Sequence, residues 1–301
     1  MSLSVEDINS KYNLNFDEGY KELFDIIIQI FNNEMNLDNY DLSNSKILNI
    51  LALYYECEKK DYTLAIKYYR MAADLDDSDA MCNLAYYYER EKDYVQAIQY
   101  YQMASKLGNS DAMCNLAYYY EREKDYTQAI EYYQMAIKLG NSTAMNNLAC
   151  YYKGEKDYVQ AIQYYQMAIK LGDSSAMCNL ALHYQGEKDY TQAIKYYRMA
   201  AEFGDSTAMN KLALYYEKKK DYDQAIKYYQ MAAELGNSNA INKLALHYER
   251  EEKNYLMSIG LGDSDAMRNL AMYYEKEKEK VKEKVKEKEK DKVKKKDKER
   301  L

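Results

Sequence analysis

Apolar and small residues recur along most of the chain at spacings of three and four, in short stretches that polar residues separate. Within residues 110–141, the first stretch contains Ala112, Met113, Leu116, Ala117 and Tyr120. The second stretch contains Tyr126, Ala129, Ile130, Tyr133 and Ala136. Each set falls on one face of a helix, because an α-helix completes a turn about every 3.6 residues. The pattern predicts two amphipathic helices in this segment.

The two-helix pattern returns every 32 residues. An Asp-Tyr pair marks each copy, beginning at Asp61, Asp93, Asp125, Asp157, Asp189 and Asp221. A single helix hairpin cannot bury both of its apolar faces, whereas stacked neighbours cover each other's faces. The sequence therefore predicts an all-α fold of stacked antiparallel helix hairpins.

Polar residues and glycines at fixed positions predict where the helices begin and end. Asp125 and Gln128 have the spacing of a capping box at the start of the second helix. Gly140 is placed to end that helix in a left-handed conformation, after which Asn141 or Ser142 caps the next helix.

The composition agrees with a helical repeat. The 301 residues include no Pro, 10 Gly and 38 Tyr, with 48% hydrophobic and 30% charged residues. The hydrophobic share is large enough for a core, which excludes wholesale disorder. The absence of Pro and the scarcity of Gly argue against a turn-rich all-β chain and against collagen.

Three segments follow from these patterns. Residues 1–42 carry a helical stripe that predicts an N-terminal cap on the first repeat, with a separate docking helix as the alternative. The stripe consists of Tyr20, Leu23, Phe24, Ile27, Ile30 and Phe31. Residues 43–274 form the repeat array, with six hairpins, one degenerate unit around Tyr255 and a final helix. Residues 275–301 alternate Lys and Glu almost strictly, which predicts a marginal helix or coil.

Charge distinguishes the last segment from the rest. The formal net charge is −7, but 14 basic and 9 acidic residues give residues 275–301 a charge of +5, which leaves −12 on residues 1–274. An acidic array lacks the basic stripe that nucleic-acid binding requires, so we expect no nucleic-acid partner. The charged tail is a candidate for weak contact with acidic surfaces or an anionic membrane.

Neither a secretion signal nor a membrane span is predicted. The longest strongly apolar stretch, residues 23–31, is far too short to cross a bilayer. The five Cys are an odd number and do not cluster as in a small secreted framework, which favours free thiols in a reducing compartment. We expect a soluble cytoplasmic protein.

No arrangement of reactive residues points to catalysis. His183 and His247 occupy the same position of units two repeats apart, which separates them by about 20 Å. Cys82, Cys114 and Cys178 likewise occupy equivalent positions in different units, too far apart for a shared zinc ion or a disulfide. We therefore expect no enzyme activity, no metal and no cofactor.

The residues also carry a family resemblance. The series Leu116, Ala117, Tyr120, Ala129, Tyr133 and Ala136 resembles the hairpin signature of tetratricopeptide repeats. The connection Ala200-Ala201-Glu202-Phe203-Gly204-Asp205-Ser206-Thr207-Ala208 resembles the turn of Sel1-like repeats. The Tyr-rich, Pro-free composition is also similar to that of repeat proteins of large DNA viruses of amoebae. This resemblance implies a right-handed α-solenoid that binds a protein or an extended peptide.

Polar positions on the first helix of each unit are the candidates for binding. The position before the repeated Leu, here called the ladder position, holds Asn83, Asn115, Asn147 and Asn179, then Lys211 and Lys243. A row of amides on the concave face can hold the backbone of an extended peptide. Tyr86 and Tyr118 would add aromatic contacts, and the two Lys would favour an acidic stretch. Alternatively, the Asn side chains bond only to adjacent backbone or to water.

Two functions from different classes fit these features. The first is a non-enzymatic scaffold that binds a peptide segment or a protein partner on the concave face. The second is a self-assembling or regulatory structural module that acts through the N-terminal helix and the charged tail. Neither the partner nor the oligomeric state follows from the sequence.

Overall fold

The structure is a computed structural model that describes residues 4–12, 23–32, 40–244 and 246–247. Its regular secondary structure within these residues is helical. The helices are α1 (Val5–Tyr12), α2 (Phe24–Phe31), α3 (Ser45–Tyr54), α4 (Tyr62–Ala73), α5 (Ser78–Arg90), α6 (Tyr94–Lys106), α7 (Ser110–Arg122), α8 (Tyr126–Lys138), α9 (Ser142–Gly154), α10 (Tyr158–Lys170), α11 (Ser174–Gly186), α12 (Tyr190–Glu202), α13 (Ser206–Lys218) and α14 (Tyr222–Glu234).

The chain divides into two compact units, Met1–Leu180 and Ala181–Leu301. In the first unit, α3 pairs with α4, α5 with α6, α7 with α8 and α9 with α10. In the second unit, α13 pairs with α14. These are the antiparallel hairpins that the 32-residue period predicts, so the expected all-α solenoid fold is confirmed.

The predicted turn residues begin and end the helices. The Asp125 Oδ1 atom accepts a hydrogen bond from the Gln128 backbone N–H at 3.2 Å, and Asn141 caps α9 by accepting from the Ala144 N–H at 2.8 Å. Gly140 has a φ of +82°, the left-handed conformation predicted for it. The Asn141 amide also donates at 2.7 Å to the Asp111 carboxylate of α7, the first helix of the preceding hairpin. One cap residue thus starts its own helix and joins two hairpins.

The turn inside each hairpin holds a feature that the sequence does not predict. Lys124, just before the capping Asp125, adopts a left-handed φ of 64°. Its equivalents in the other units do the same, with φ between 56° and 63°; they are Lys60, Lys92, Lys156, Lys188 and Lys220. A residue with a Cβ atom is disfavoured in this conformation. The turn of each hairpin therefore carries a conformational free-energy cost.

Paired tyrosines join the two helices of each hairpin. The rings of Tyr120 on α7 and Tyr132 on α8 stack with centroids 5.6 Å apart and planes 10° apart. The same stack forms in the other hairpins, as Tyr55–Tyr68, Tyr88–Tyr100, Tyr152–Tyr164, Tyr184–Tyr196 and Tyr216–Tyr228. The neighbouring Tyr133 is buried, and its hydroxyl donates to the Glu121 carboxylate at 2.7 Å.

The core of one hairpin is completed by the first helix of the next. One buried cluster contains Met113 and Ala117 of α7, Tyr133 of α8, and Ala144 and Leu148 of α9. The alanines let the helix backbones approach closely, while the larger side chains fill the space between repeats.

The first repeat contains one residue more than the others between its repeated Tyr and Asp. The structure accommodates this residue in a π-helical segment, Tyr55–Lys59, that extends α3. A π-helical turn absorbs an inserted residue without rotating the flanking helix faces out of register. The stack of Tyr55 on Tyr68 is retained as a result.

The described part of the N-terminal segment packs on the first repeat. Ile27, Ile30 and Phe31 of α2 are buried in one cluster with Leu48 and Leu51 of α3. Of the predicted stripe, Tyr20 lies outside the described residues. The degenerate unit around Tyr255, the final helix and residues 275–301 also lie outside them.

Substitution of two glycines by Ala should have opposite effects on stability. A Cβ at Gly140 would meet no atom within 4 Å, but its φ is +82°, so Gly140→Ala introduces backbone strain alone. We expect a loss of about 1 kcal/mol, since left-handed strain exceeds the entropic gain. Gly154 ends α9 with equally open space and without a positive φ, so Gly154→Ala should stabilise by about 0.5 kcal/mol. Urea unfolding midpoints measure both effects. Midpoints that shift in the same direction for the two variants would contradict the backbone conformations described for these glycines.

Candidate functional site

The ladder Asn side chains bond to the preceding repeat. Asn179 donates its amide N–H to Asn146 Oδ1 at 2.9 Å, Asn147 to Cys114 Sγ at 3.8 Å, and Asn83 to Asn49 Oδ1 at 3.5 Å. At the equivalent position, the Asn115 side chain lies near the Cys82 side chain and partly offsets the rise that burial causes in the pKa of Cys82. In each pair the acceptor residue comes immediately before the ladder position of the preceding hairpin. For Asn83, this acceptor is Asn49 of α3.

This contact gives the row of amides a structural role. All four ladder Asn residues are half-buried, and Asn83, Asn147 and Asn179 each connect the first helix of their hairpin to that of the hairpin before it. An Asn amide carries two N–H donors and one acceptor, so such a bond uses one of its donors. The partner is a side chain of the neighbouring repeat, rather than adjacent backbone.

The ladder changes in the second unit. The Lys243 ammonium group lies 3.2 Å from the Glu217 carboxylate, which also accepts a hydrogen bond from the Tyr229 hydroxyl at 2.6 Å. Asn210, in the repeat before Lys243, occupies the position that accepts the ladder bond in other repeats, and it is only 6% exposed. Its Oδ1 atom has no hydrogen-bond partner among the described residues. Lys243 is thus drawn to a carboxylate instead of continuing the ladder.

Three of the predicted binding residues line one cavity of the first unit. Tyr86 of α5 and both Asn115 and Tyr118 of α7 border a space of about 340 Å³. We call this space the tyrosine cavity. Its remaining lining residues are Glu89, Tyr94, Ala97, Ile98, Tyr101, Tyr119, Arg122 and Glu123. The N-terminal half of α6 thus faces the C-terminal halves of α5 and α7.

The walls of the tyrosine cavity combine aromatic rings with a positioned carboxylate. Tyr86 is 56% exposed and Tyr118 is 50% exposed, so both offer ring surface to a partner. The Tyr101 hydroxyl donates to the Glu89 carboxylate at 3.1 Å. Burial raises the pKa of Tyr101, and the Glu89 charge raises it further. The hydroxyl therefore keeps its proton and orients the carboxylate.

The second unit contains a cavity at the equivalent position, three repeats later. We call this space of about 200 Å³ the lysine cavity, and Lys211 is one of its lining residues. The others are Gln185, Tyr190, Ala193, Ile194, Tyr197, Leu214, Tyr215 and Lys218. The Tyr197 hydroxyl donates to Gln185 at 2.7 Å, as Tyr101 does to Glu89.

Sequence reasoning missed several lining residues. Glu89, Tyr94 and Tyr101 contribute to the tyrosine cavity, although none is in the ladder or next to it. The sequence signal for Tyr94 is that it recurs with the repeat: Tyr94 begins the second helix of its hairpin, as Tyr126 does in the next hairpin. The geometry that joins them depends on how consecutive hairpins pack, which a spacing within one hairpin does not reveal.

Cys82, Cys114 and His183 are placed as packing residues. Burial raises the pKa of both Cys82 and Cys114 to about 12, so neither forms a nucleophilic thiolate at neutral pH. The His183 ring lies edge-on to Tyr184 with centroids 5.6 Å apart. Among the described residues, no group of three or more His, Cys, Asp and Glu side chains is placed to hold a metal ion.

Comparison with known proteins identifies the repeat. The family model described as Sel1 repeat matches residues 49–77, 78–109, 110–141, 142–173, 174–205, 206–237 and 264–284, well over half of the chain. The chain belongs to the Sel1 repeat family. The Sel1 repeat match of residues 110–141 has the boundaries of the unit that the sequence pattern predicts. The matched segments end at residue 237 and resume at residue 264, on either side of the predicted degenerate unit.

Solved structures with this fold include two Sel1 repeat proteins. A Sel1 repeat protein from Oxalobacter formigenes is similar at a TM-score of 0.61 and 26% identity, over 72% of this chain and 99% of that chain. The protective antigen c5321 of uropathogenic Escherichia coli is similar at a TM-score of 0.54 and 24% identity, over 90% of this chain and 68% of that chain. A search of curated proteins finds no significant match.

Sel1 and tetratricopeptide-like repeat proteins generally serve as scaffolds for protein interactions, and the fold is typically non-enzymatic. In the part of this Sel1 repeat protein that the structure describes, no helix is both long and apolar enough to cross a membrane.

The two ladder bonds that join Asn to Asn, one of 2.9 Å and one of 3.5 Å, should differ in their effect on stability. Asn179→Ala removes the donor to Asn146, which is 8% exposed, whereas Asn83→Ala removes a 3.5 Å bond in the same repeat position. We expect a loss of about 1–3 kcal/mol for Asn179→Ala, because its short bond to Asn146 and a second bond, to Cys150 Sγ at 3.6 Å, are both lost. The loss for Asn83→Ala should be about half of that or less. Equal urea midpoints for the two variants would contradict this ranking.

Alkylation by iodoacetamide at pH 8 should distinguish the cysteines of the native protein. Cys150 is exposed, whereas Cys82 and Cys114 have a raised pKa of about 12 and remain protonated at this pH. Because the thiolate is the reactive species, mass spectrometry should find Cys150 modified well before the other two. Unfolding in urea should remove the difference, and modification of Cys114 at the rate of Cys150 in the native state would argue against the packing described.

Proposed function

We propose that this Sel1 repeat protein is a non-enzymatic scaffold that binds a peptide segment or a protein partner at the tyrosine cavity. One observation carries the proposal: Tyr86, Asn115 and Tyr118, which the sequence analysis selected as binding residues, line the same cavity. The functional role of the family supports it.

The shape and chemistry of the tyrosine cavity suit a partner side chain. A space of about 340 Å³ is at the lower end of the range for small-ligand pockets, so it accommodates a single side chain or a comparably small group. Tyrosine is enriched at the energetic centres of protein interfaces, because a rigid ring buries a large area and its hydroxyl can still form a hydrogen bond. Half-exposed Tyr86 and Tyr118 are available for such contacts.

In this proposal, Asn115 fixes the backbone of an extended partner beside the cavity. An Asn side chain offers two N–H donors and an acceptor, and that of Asn115 borders the cavity. The remaining ladder residues Asn83, Asn147 and Asn179 would extend this contact along the concave face. Lys211, in the lysine cavity, would favour an acidic stretch of a partner. The pairing of Lys243 with Glu217 makes Lys243 a weaker candidate.

The alternative, assembly through the N-terminal helix, has less support. The apolar side chains of α2 that would mediate docking, Ile27, Ile30 and Phe31, are buried against the first repeat. This packing favours the proposed cap role of residues 1–42.

An acidic array argues against a nucleic-acid partner, and free thiols fit the proposed cytoplasmic location.

Selection of peptides from a random-sequence display library tests the proposed site. We expect the wild-type protein to enrich peptides whose affinity falls at least about tenfold in the double variant Tyr86→Ala/Tyr118→Ala, since interface aromatic residues often contribute more than about 1.4 kcal/mol each. Tyr222→Ala is the matched control, because Tyr222 is a similarly exposed tyrosine of the second unit. Failure to enrich any peptide, or enriched peptides that bind the double variant as tightly as the wild type, would refute the proposed site.

A further inference from the structure

The tyrosine cavity is lined by charged residues that the packing of the repeats does not require. Its lining includes two carboxylates, Glu89 and Glu123, and one guanidinium group, Arg122. Five tyrosines complete the walls: Tyr86, Tyr94, Tyr101, Tyr118 and Tyr119. The faces of aromatic rings carry negative potential and attract cations, and a nearby carboxylate adds a counter-ion. The cavity therefore combines both features that stabilise a bound positive charge.

Comparison with the lysine cavity isolates the residues responsible. The framework is the same in both, because Ala97, Ile98 and Tyr101 correspond to Ala193, Ile194 and Tyr197. Tyr94 and Tyr119 are likewise retained as Tyr190 and Tyr215, but Gln185 replaces Glu89 and Leu214 replaces Tyr118.

The ladder position gains a positive charge in the lysine cavity, whereas the position of Arg122 keeps its positive charge. Lys211 takes the place of Asn115, and Lys218 that of Arg122. The lysine cavity thus has two ammonium groups and no carboxylate in its lining. The charge of the lining therefore differs between the two cavities, although the same repeat forms both.

From these contrasts we propose that the tyrosine cavity binds the cationic side chain of a Lys or Arg residue in the partner segment. The inference rests on the proposed function and specifies the chemistry of the partner. The tyrosine rings surround the alkyl chain and the charged group, and Glu89 supplies the opposite charge. The Tyr101 hydroxyl holds this carboxylate in place.

Capped single amino acids are suitable probes, because the cavity is the size of one side chain. Binding of N-acetyl-lysine amide and N-acetyl-arginine amide is measured by NMR of the full chain with labelled tyrosine rings. The neutral N-acetyl-norleucine amide and the anionic N-acetyl-glutamate amide are the comparison probes. We expect the two cationic probes to bind at least about tenfold more tightly than norleucine, with shifts at Tyr86 and Tyr118, because only they gain the ring and carboxylate interactions.

Glu89→Gln tests the counter-ion. The chain itself indicates that this variant folds, because Gln185 accepts the equivalent tyrosine hydrogen bond at 2.7 Å. We expect Glu89→Gln to weaken lysine binding about tenfold and to leave norleucine binding unchanged. Glu121→Gln is the matched control: Glu121 accepts the Tyr133 hydroxyl at 2.7 Å one repeat later and does not line the cavity.

Several results would overturn the inference. They are equal binding of norleucine and lysine, no binding of either cationic probe, unchanged lysine binding in Glu89→Gln, and an equal loss in Glu121→Gln. Failure here is distinguishable from failure of the proposed function. Tyrosine-dependent library peptides without a basic residue would contradict only the cation inference. Cation binding without tyrosine-dependent peptides would contradict only the scaffold site.

Discussion

In the first unit, the hairpins α3–α4, α5–α6 and α7–α8 each share a buried core with the first helix of the next repeat, and this sharing determines how the repeats are arranged. Met113 and Ala117 of α7 are buried only because Ala144 and Leu148 of α9 close the cluster from the next repeat. Because hydrophobic burial is the main favourable term in folding, adjacent hairpins must stack in one register. The stacked tyrosines then fix the angle within each hairpin, and the ladder bonds fix the contact between hairpins.

The same constraint creates the space in which a partner can bind. Stacking brings the first helices together at their buried alanines, while the half-exposed side chains at their C-terminal ends remain apart above the second helix. The cavities form there. Ala97 and Tyr101, which belong to the core, recur as Ala193 and Tyr197, whereas Glu89 and Tyr118 are replaced. A repeat can therefore change its binding chemistry without changing its packing.

Much of the fold was predictable because it depends on local patterns. Asp125 and Gly140 mark helix ends through interactions within a few residues, and the 32-residue period places the hairpins. The left-handed Lys124 was not predictable, since lysine has no preference for that conformation and only the geometry of the turn imposes it. The stack of Tyr120 on Tyr132 crosses a turn, so no helical spacing reveals it.

The candidate site was predictable in part. Tyr86, Asn115 and Tyr118 were selected from their positions on the first helix, and all three border one cavity. The bonding partners of Asn83, Asn147 and Asn179 could not be deduced, because each stands in the preceding repeat at a distance set by packing. For the same reason Glu89 could not be recognised as part of the cavity from the sequence alone.

The sharing of each core between neighbouring hairpins also has a kinetic consequence. The residues that meet in the cluster around Tyr133 all lie between Met113 and Tyr164, so its formation requires no contact with distant parts of the chain. Folds dominated by such short sequence separations form rapidly, because little loop entropy is lost before contacts are gained. During synthesis, a hairpin could reach its final packing as soon as the next first helix has left the ribosome, and partly made chains would expose only one uncovered face at a time.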